Sequence, residues 1–322
     1  MVLKCILSGF VILGFFGIIQ GASTKSSTAG MEEKPANLTA IKWAHAANDY
    51  TLLKKALESK VEMIESDCLM GTLFEDKTKV IPIMSHPPKN ESDISLEYYL
   101  QNITEYNAKN PNSQKGIKLD FKSIEAFENG IETIKNHSKI IKKMWFNADI
   151  LNGPGNPQNP PVDALRFLKT AKEISDNNTL SIGWTTDLVT DTSKVKYEES
   201  QINQMISLIK DNGIVNRSIT YPVRAVYAAN SENELKDLLI KTAATNNNGT
   251  LSIWSADKDI PSVNIKKLRD LILNIGVHQV YLDVPTGLER ELRLNSSGSL
   301  KASFINFTII SIVLVFLSEY LK

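Results

Sequence analysis

Strand-like and helix-like stretches alternate along most of this chain, and that alternation restricts its fold more than any other feature. Eight apolar runs without helical periodicity are separated mainly by stretches that carry apolar residues at helical spacing. Alternation of this kind is typical of a parallel sheet, and its regularity favours a single (β/α)8, or TIM, barrel of the α/β class. An open doubly wound sheet is the alternative. The eight runs are Ile41–Ala46, Met63–Cys68, Gly116–Lys122, Met144–Leu151, Thr179–Trp184, Ser218–Arg224, Thr250–Trp254 and Gln279–Val284.

One additional strand-like run breaks the regular order. Val80–His86 follows the second run after only the short polar segment Gly71–Lys79. Because a parallel crossover needs a dozen or more residues, we expect an antiparallel β-hairpin excursion after strand two.

Polar residues occupy one face of two strands that a barrel would bury on both sides. In the fourth strand, Asn147 and Asp149 share the inner face with Trp145, and the intervening apolar residues face the helices. Gly116–Lys122 divides in the same way. Buried parallel strands are normally apolar, so these faces require a reason, and a catalytic mouth at the carboxyl ends of the strands supplies one.

The two ends of the chain differ from the globular middle. Lys4, the apolar run Cys5–Ile19 and the small residues after it indicate a secretory signal peptide over residues 1–22, with a retained signal anchor as the alternative. An irregular leader (23–39) precedes the barrel domain (40–294). The formal net charge of +0 gives no basic surplus of the kind that nucleic-acid binding requires.

The C-terminal segment suggests attachment to a membrane. A polar spacer (295–303) with small residues at Asn295–Gly298 precedes a tail (304–322) whose Phe304–Leu317 part is apolar. This order favours a glycosylphosphatidylinositol (GPI) anchor; a transmembrane helix and a secreted form are the alternatives. We therefore expect the secretory pathway and either the outer face of the plasma membrane or secretion.

Cysteine and asparagine usage bears on the same expectation. Loss of Cys5 with the signal peptide would leave Cys68 without a disulfide partner, so the domain must rely on its core for stability. Sequons for N-glycosylation agree with a secretory route. They begin at Asn37, Asn90, Asn102, Asn136, Asn177, Asn216, Asn248 and Asn295.

Three carboxylates are predicted to converge at the ends of strands two and three. Glu65 and Asp67 are two residues apart on one strand, so their side chains point to the same side, and Asp120 lies on the next barrel strand. Like charges placed together need a cation between them, and oxygen ligands suit Mg²⁺ or Ca²⁺. We therefore predict a divalent metal site formed by these three residues.

Two histidines and a lysine complete a set that suits phosphodiester cleavage. His45 ends strand one, and His86 ends the hairpin strand. One imidazole could take a proton from the attacking hydroxyl, and the other could protonate the leaving oxygen. Lys122 could stabilise the charge that grows on the phosphoryl oxygens. These three residues are the predicted catalytic groups.

Further residues at the same strand ends are predicted to bind substrate. Lys118 is a second candidate for charge stabilisation, with an ion pair to Asp120 as its alternative role. Arg224 binds either an anionic group or a salt-bridge partner. Trp184, Trp254 and Tyr281 fit either a substrate wall or barrel packing. The complete predicted substrate-binding set is Lys118, Asn48, Asn147, Asp149, Trp184, Arg224 and Trp254.

The order of these residues resembles that of glycerophosphodiester phosphodiesterases and related phospholipase-C-like barrels. The shared pattern is a histidine on strand one, Glu-x-Asp on strand two, a histidine after a hairpin and an acid-x-Lys strand. The resemblance implies a carboxylate-bound Mg²⁺ or Ca²⁺ and two working histidines. The chain departs from that pattern in two places: Asp120 stands where those enzymes have Glu, and Ala46 stands where they have Arg.

A fuller pattern resembles the menorin family over nearly the whole domain. It implies a phospholipase-C-like barrel in a largely extracellular family linked to cell-surface assemblies. The segments that carry it are Trp43–Asn48, Met63–Asp67, Ser85–Pro88, Lys115–Lys122, Trp145–Leu151, Leu180–Thr186 and Trp254–Ser255.

Two functional hypotheses follow. The first is a metal-dependent phosphodiesterase that acts on a lipid-like or glycerophospho substrate at the cell surface. The second is a barrel with weak or no catalysis that binds protein partners in cell-surface adhesion complexes. A glycosidase that uses Asp149 and Asp120 is a weaker third option, because it leaves the histidines without a role.

Overall fold

A computed structural model of the protein describes residues 36–174 and 177–294. The predicted signal peptide, most of the leader, the polar spacer and the apolar tail lie outside the described residues. None of the described helices is long and apolar enough to cross a membrane.

Strands and helices alternate through the described residues. The strands are β1 (Trp43–Ala44), β2 (Met63–Leu73), β3 (Ile81–Met84), β4 (Glu91–Ser92), β5 (Gly116–Phe121), β6 (Met144–Asn152), β7 (Thr179–Thr185), β8 (Ser218–Arg224), β9 (Asn248–Trp254) and β10 (Val280–Asp283). The α-helices are α1 (Tyr50–Glu58), α2 (Leu96–Lys109), α3 (Ile124–Ser138), α4 (Ala164–Lys172), α5 (Glu199–Asp211), α6 (Ala225–Ala228), α7 (Glu232–Ala243), α8 (Ile265–Ile275) and α9 (Thr286–Leu292). Short 3-10 helices span Leu38–Ala40 and Asp257–Ser262.

Eight of the strands form one parallel sheet in the order β1-β2-β5-β6-β7-β8-β9-β10. The first and last strands meet through side chains, with the Trp43 and Tyr281 rings 6.3 Å apart. In the described part of the chain no strand pairing joins β1 to β10, so the barrel has a seam there. The predicted (β/α)8 barrel is confirmed.

The predicted hairpin is also present. β2 pairs in parallel with β5 as far as Cys68, and its continuation from Cys68 to Gly71 pairs antiparallel with β3. β2 therefore continues past the barrel as part of a hairpin, and β3 runs back towards the barrel mouth. This return brings His86, two residues after β3, to the site.

Local sequence explains where several helices begin. The side chains of Asp49, Ser95 and Ser123 each accept a hydrogen bond from a backbone N–H in the first turn of α1, α2 and α3. Such caps satisfy donors that have no partner within the helix. Asp49 directly follows Asn48 and Ser123 directly follows Lys122, so these two caps lie beside predicted site residues.

The main apolar core lies between the strands and the surrounding helices. Phe127 of α3 packs against Phe121, Phe146 and Phe167, with ring centroids 4.3 to 5.2 Å apart. All four rings are essentially inaccessible to solvent. The outward direction of Phe146 confirms the predicted division of its strand into helix-facing and barrel-facing residues.

Aromatic rings fill the barrel interior at the amino ends of the strands. Trp145 contacts Trp43 and Tyr281 edge-on, with centroid distances of 5.3 and 4.8 Å. This group, here called the aromatic plug, closes one end of the interior. The polar residues of the same strands therefore face the opposite, open end.

Candidate functional site

The carboxyl ends of the strands surround a cleft of about 610 Å³. It lies at the end of a (β/α)8 barrel where active sites form. Ten of the predicted site residues line this cleft: His45, Glu65, Asp67, His86, Lys118, Asp120, Lys122, Asn147, Asp149 and Trp254.

Three carboxylates converge on the floor of the cleft. Glu65, Asp67 and Asp120 each offer an oxygen, and these oxygens lie within 4.8 Å of one another. The register explains the convergence, because Asp67 lies directly opposite Asp120 in the β2–β5 ladder. Glu65 precedes Asp67 by two residues and so faces the same side. The predicted carboxylate cluster is present as a group that could hold a metal ion.

Neighbouring donors orient each of the three carboxylates. The backbone N–H of Ala46 donates to Glu65 Oε2 at 2.8 Å, and the Asn48 amide donates to Asp67 Oδ2 at 2.7 Å. Lys122 Nζ lies 2.9 Å from Asp67 and 2.7 Å from Asp120. Ala46 reaches its position with a φ of 52°, in the left-handed region that a Cβ disfavours. The loop after β1 is therefore strained in a way that serves Glu65.

The charges of this cluster are only partly balanced. Burial raises the pKa of Glu65 to about 7, and Asp67 adds to the increase while His45 opposes it. Burial also opposes ionisation of Asp120, but Lys122 and Lys118 outweigh it and hold the Asp120 pKa below its ordinary value. The His45 imidazole, whose Nδ1 lies 3.4 Å from Glu65 Oε2, offsets only part of the cost of burying this carboxylate. A divalent cation among the three oxygens would further favour the ionised form of Glu65.

His45 is held through one ring nitrogen. Its Nδ1 lies 3.1 Å from Asp283 Oδ2 and 3.4 Å from Glu65 Oε2. Glu65 chiefly raises the His45 pKa to about 10, against the effect of burial. Because 59% of the side chain is exposed, water screens part of this attraction. Nε2, on the other side of the ring, is left for a ligand in the cleft.

His86 is exposed and is held by the backbone. Its Nδ1 lies 2.6 Å from the carbonyl oxygen of Pro87, an acceptor that requires Nδ1 to carry the proton. Its Nε2 is then unprotonated in the neutral ring. Both histidines line the cleft, and both are held through Nδ1, by a carboxylate in one case and by a peptide carbonyl in the other.

The other polar lining residues extend the cleft along β5 and β6. Lys118 is buried, with Nζ 3.8 Å from Asp283 Oδ2. Asn147 Oδ1 accepts a 2.5 Å hydrogen bond from the Ser181 hydroxyl. Burial, followed by the charge of Asp120, raises the pKa of Asp149 to about 7. Asp149 therefore exchanges a proton near neutral pH.

Three predicted substrate-binding residues are absent from the cleft lining. Trp184 is 1% exposed and packs against Tyr197 and Tyr221, because it shares the outward face of β7. Arg224 makes a bidentate ion pair with Asp259, with both N–O distances at 2.8 Å. The placement of Trp184 and Arg224 thus favours the packing and salt-bridge alternatives. Asn48 is not a lining residue, but its amide donates a hydrogen bond to Asp67, which is one.

Two acidic residues of the site were missed by sequence reasoning. Asp283, at the end of β10, contacts His45 and Lys118, and Asp187 lines the cleft after β7. The alternation Tyr281, Asp283 on the last strand was the available signal for the first, since it predicts an inward side chain at a strand end. No comparable pattern marks Asp187.

The fold and cleft define a class: (β/α)8 proteins with a cluster of carboxylates and two histidines at the carboxyl ends of the strands. Within that class the chain belongs to the menorin family, because the Menorin N-terminal domain matches residues 37–289. A similar curated relative is Protein FAM151B of Homo sapiens. It is 33% identical over 246 residues, which cover 76% of this chain and 82% of the relative.

Solved structures show only general likeness. A Haloferax volcanii malate synthase in a lead(II) complex matches with 9% identity and a TM-score of 0.42, over 86% of this chain and 78% of that one. An L-ribulose 3-epimerase matches with 12% identity and a TM-score of 0.41, over 80% and 87%. At this level of similarity neither structure bears on function.

Proposed function

We propose that this menorin-family protein is a metal-dependent phosphodiesterase. The observation that carries the proposal is the convergence of Glu65, Asp67 and Asp120 in a cleft that His45 and His86 also line. Carboxylates for a hard cation and paired imidazoles for proton transfer are together the groups that phosphodiester cleavage needs.

The residues present suit a hard divalent metal. The donor set is entirely oxygen, and burial raises the pKa of Glu65 to about 7 despite the nearby His45, so a bound cation would favour its ionised form. Asn48 and the Ala46 N–H would keep Asp67 and Glu65 in place as ligands. A bound Mg²⁺ or Ca²⁺ would neutralise phosphate charge and hold the phosphate in position.

The histidines would move the two protons of the reaction. The imidazole that is neutral accepts a proton from the attacking hydroxyl at Nε2, and the imidazolium donates one from Nε2 to the leaving oxygen. The acid role falls to His45, because the Glu65 and Asp283 carboxylates favour its charged form, and His86 is left as the proton acceptor. His45 would therefore be the acid in the first step.

Lysines would carry the remaining phosphate charge. Lys122 reaches the cleft between Asp67 and Asp120, and Lys118 lies deeper against Asp283. No arginine is among the described residues of the cleft lining. Lys122 would therefore supply, in place of an arginine, the positive charge beside the phosphoryl oxygens.

The proposed setting is the secretory route and the outer surface of the cell. It rests on the signal-like residues 1–22, the sequons and the apolar C-terminal run, with a GPI anchor, a transmembrane helix and secretion as its possible forms. A lipid-like or glycerophospho diester is the proposed substrate class. Cell-surface proteins are the proposed partners.

Hydrolysis of a panel of phosphodiesters by the purified protein, with and without EDTA, tests the proposal. Wild type should cleave at least one substrate, and EDTA, His45→Ala and Glu65→Ala should each abolish the cleavage. His137→Ala is the matched control, because His137 bonds Thr104 outside the cleft lining. A folded wild type that cleaves nothing, or site variants that match wild type, would refute the assignment.

A binding function without turnover is the second candidate, and one contact favours it. Lys122 forms ion pairs with Asp67 and Asp120, so the charges of these two carboxylates are balanced without a catalytic metal. Such a barrel would capture an anionic ligand or a surface partner. Capture of cell-surface proteins by wild type, compared with Lys122→Met and Glu65→Gln, tests this candidate. Loss of partners by these variants, without turnover by wild type, would favour binding.

A further inference from the structure

The last strand supplies a buried carboxylate that the proposed reaction has not used. Asp283 ends β10, is 4% exposed and places Oδ2 3.1 Å from His45 Nδ1. Glu65 Oε2 is also near that nitrogen, at 3.4 Å, but it already accepts the Ala46 N–H. Asp283 therefore makes the shorter contact with the imidazole.

The geometry points to Asp283 as the positioning residue that fixes the orientation of His45 and the proton on its Nδ1. A carboxylate at this distance accepts a hydrogen bond from Nδ1–H, which directs Nε2 away from the bond and towards the cleft. Asp283 is not among the described residues that line the cleft. It acts on the reaction only through the ring that it holds.

The local backbone explains why such a restraint is needed. His45 follows a strand of only two residues that pairs with β2 alone among the described strands. More than half of its side chain is exposed, so packing alone restricts the ring weakly. Asp283 reaches it from across the barrel seam, where the pairing of backbones has stopped.

The two carboxylates beside the His45 imidazole, Glu65 and Asp283, then have different roles. Glu65 faces Asp67 and Asp120 and belongs to the candidate metal cluster. Asp283 faces Lys118, whose Nζ at 3.8 Å supplies a positive neighbour. With Lys118 beside it, Asp283 remains an acceptor for Nδ1–H while Glu65 serves the cation.

The orientation of the ring can be measured without any substrate. The protein contains four histidines, and NMR spectra of ¹⁵N-histidine-labelled protein record their ring signals. The signals that disappear in His45→Gln are those of His45. Wild type should show a downfield, hydrogen-bonded Nδ1–H proton of His45, and Asp283→Ala should lose it. Asn107→Ala is the control, because Asn107 is buried against Lys115 at the opposite end of the barrel. It should keep the signal.

The kinetic consequence rests on the proposed function. Asp283→Ala and Asp283→Asn should lower kcat about 10- to 100-fold with little change in KM, and Asp283→Glu should restore part of it. Asp283→Asn preserves the shape if the alanine variant does not fold. Asn107→Ala should lose stability but keep kcat.

The NMR and kinetic measurements together distinguish the positioning role of Asp283 from the proposed phosphodiesterase function. Persistence of the Nδ1–H signal in both Asp283→Ala and Asp283→Asn would overturn the positioning role, and so would a kcat loss no larger than that of Asn107→Ala. Loss of the signal in a protein that cleaves no phosphodiester would support the positioning role and refute the proposed catalysis.

Discussion

The two ends of the barrel interior follow opposite rules. At the closed end, the aromatic plug of Trp43, Trp145 and Tyr281 fills the space with rings. At the open end, acids and lysines face one another around the cleft. β6 contributes to both ends, because Trp145 belongs to the plug while Asn147 and Asp149 line the cleft. Stability is therefore concentrated at one end, and charge that burial disfavours is concentrated at the other.

The largest expected effect tests the closed end. Trp145→Ala removes a side chain that is 5% exposed and should lower the free energy of unfolding by about 4 kcal/mol. Urea unfolding measures it. Trp254→Ala is the counterpart at the open end, where the ring is only partly buried, and should cost about half as much. Equal costs would remove the distinction between the two ends.

Binding of a divalent cation at the open end should stabilise the folded protein. Mg²⁺ or Ca²⁺ at about 100 times its dissociation constant should raise the free energy of unfolding by about 2.7 kcal/mol. The shift in Tm measures this effect. Glu65→Gln should abolish it, and Trp145→Phe should keep it. A cation response in Glu65→Gln as large as that of wild type would place the ion elsewhere.

Asp149 should make the open end sensitive to pH. Its pKa of about 7 in the folded protein lies above its ordinary value near 4, so between those pH values the folded state binds more protons than the unfolded state. Stability from this group is therefore present at low pH and falls as pH rises towards 7. In metal-free protein, Asp149→Asn should remove the fall and be about 2 kcal/mol more stable than wild type at pH 8.

Unfolding in urea across the pH range checks this prediction. Asn147→Asp, which adds an acid to the same strand face, should steepen the fall. A parallel pH profile for wild type and Asp149→Asn would show that Asp149 is ionised in both states.

The smallest expected effect concerns the strained loop beside Glu65. Ala46→Gly removes a Cβ at a φ of 52° and should stabilise the protein by about 0.5 kcal/mol, net of the added freedom of the unfolded chain. Ala44→Gly, in the regular strand β1, should instead destabilise it by about 1 kcal/mol. Chemical denaturation of both variants measures the difference. A loss of stability in both would mean that the loop is unstrained.

Periodicity made most of the architecture predictable. Alternation with period two placed Phe146 outward and Asn147 inward, and the short Gly71–Lys79 segment predicted the hairpin that brings His86 to the cleft. Glu65 and Asp67 were found for the same reason. These inferences depend on local spacing, which the sequence displays directly.

Contacts between distant residues were harder to predict. The pairing of Arg224 with Asp259 and of His45 with Asp283 depends on which loops meet at the rim, and spacing along the chain does not encode this. Trp184 was assigned to the cleft although it shares the parity of Leu180 and Ile182, which are buried against the helices. The alternation along β7 already predicted an outward side chain for Trp184. The assignment to the cleft relied instead on the position of this tryptophan near the end of the strand.

The seam between β1 and β10 has a consequence for local unfolding. β1 holds two residues and, among the described strands, pairs only with β2. Its amide hydrogens can therefore exchange with solvent through an opening that leaves the remaining ladders intact. His45 moves with that strand. A ligand that contacts both His45 and the carboxylates of β2 would slow this exchange, so amide protection at the seam would report occupancy of the cleft.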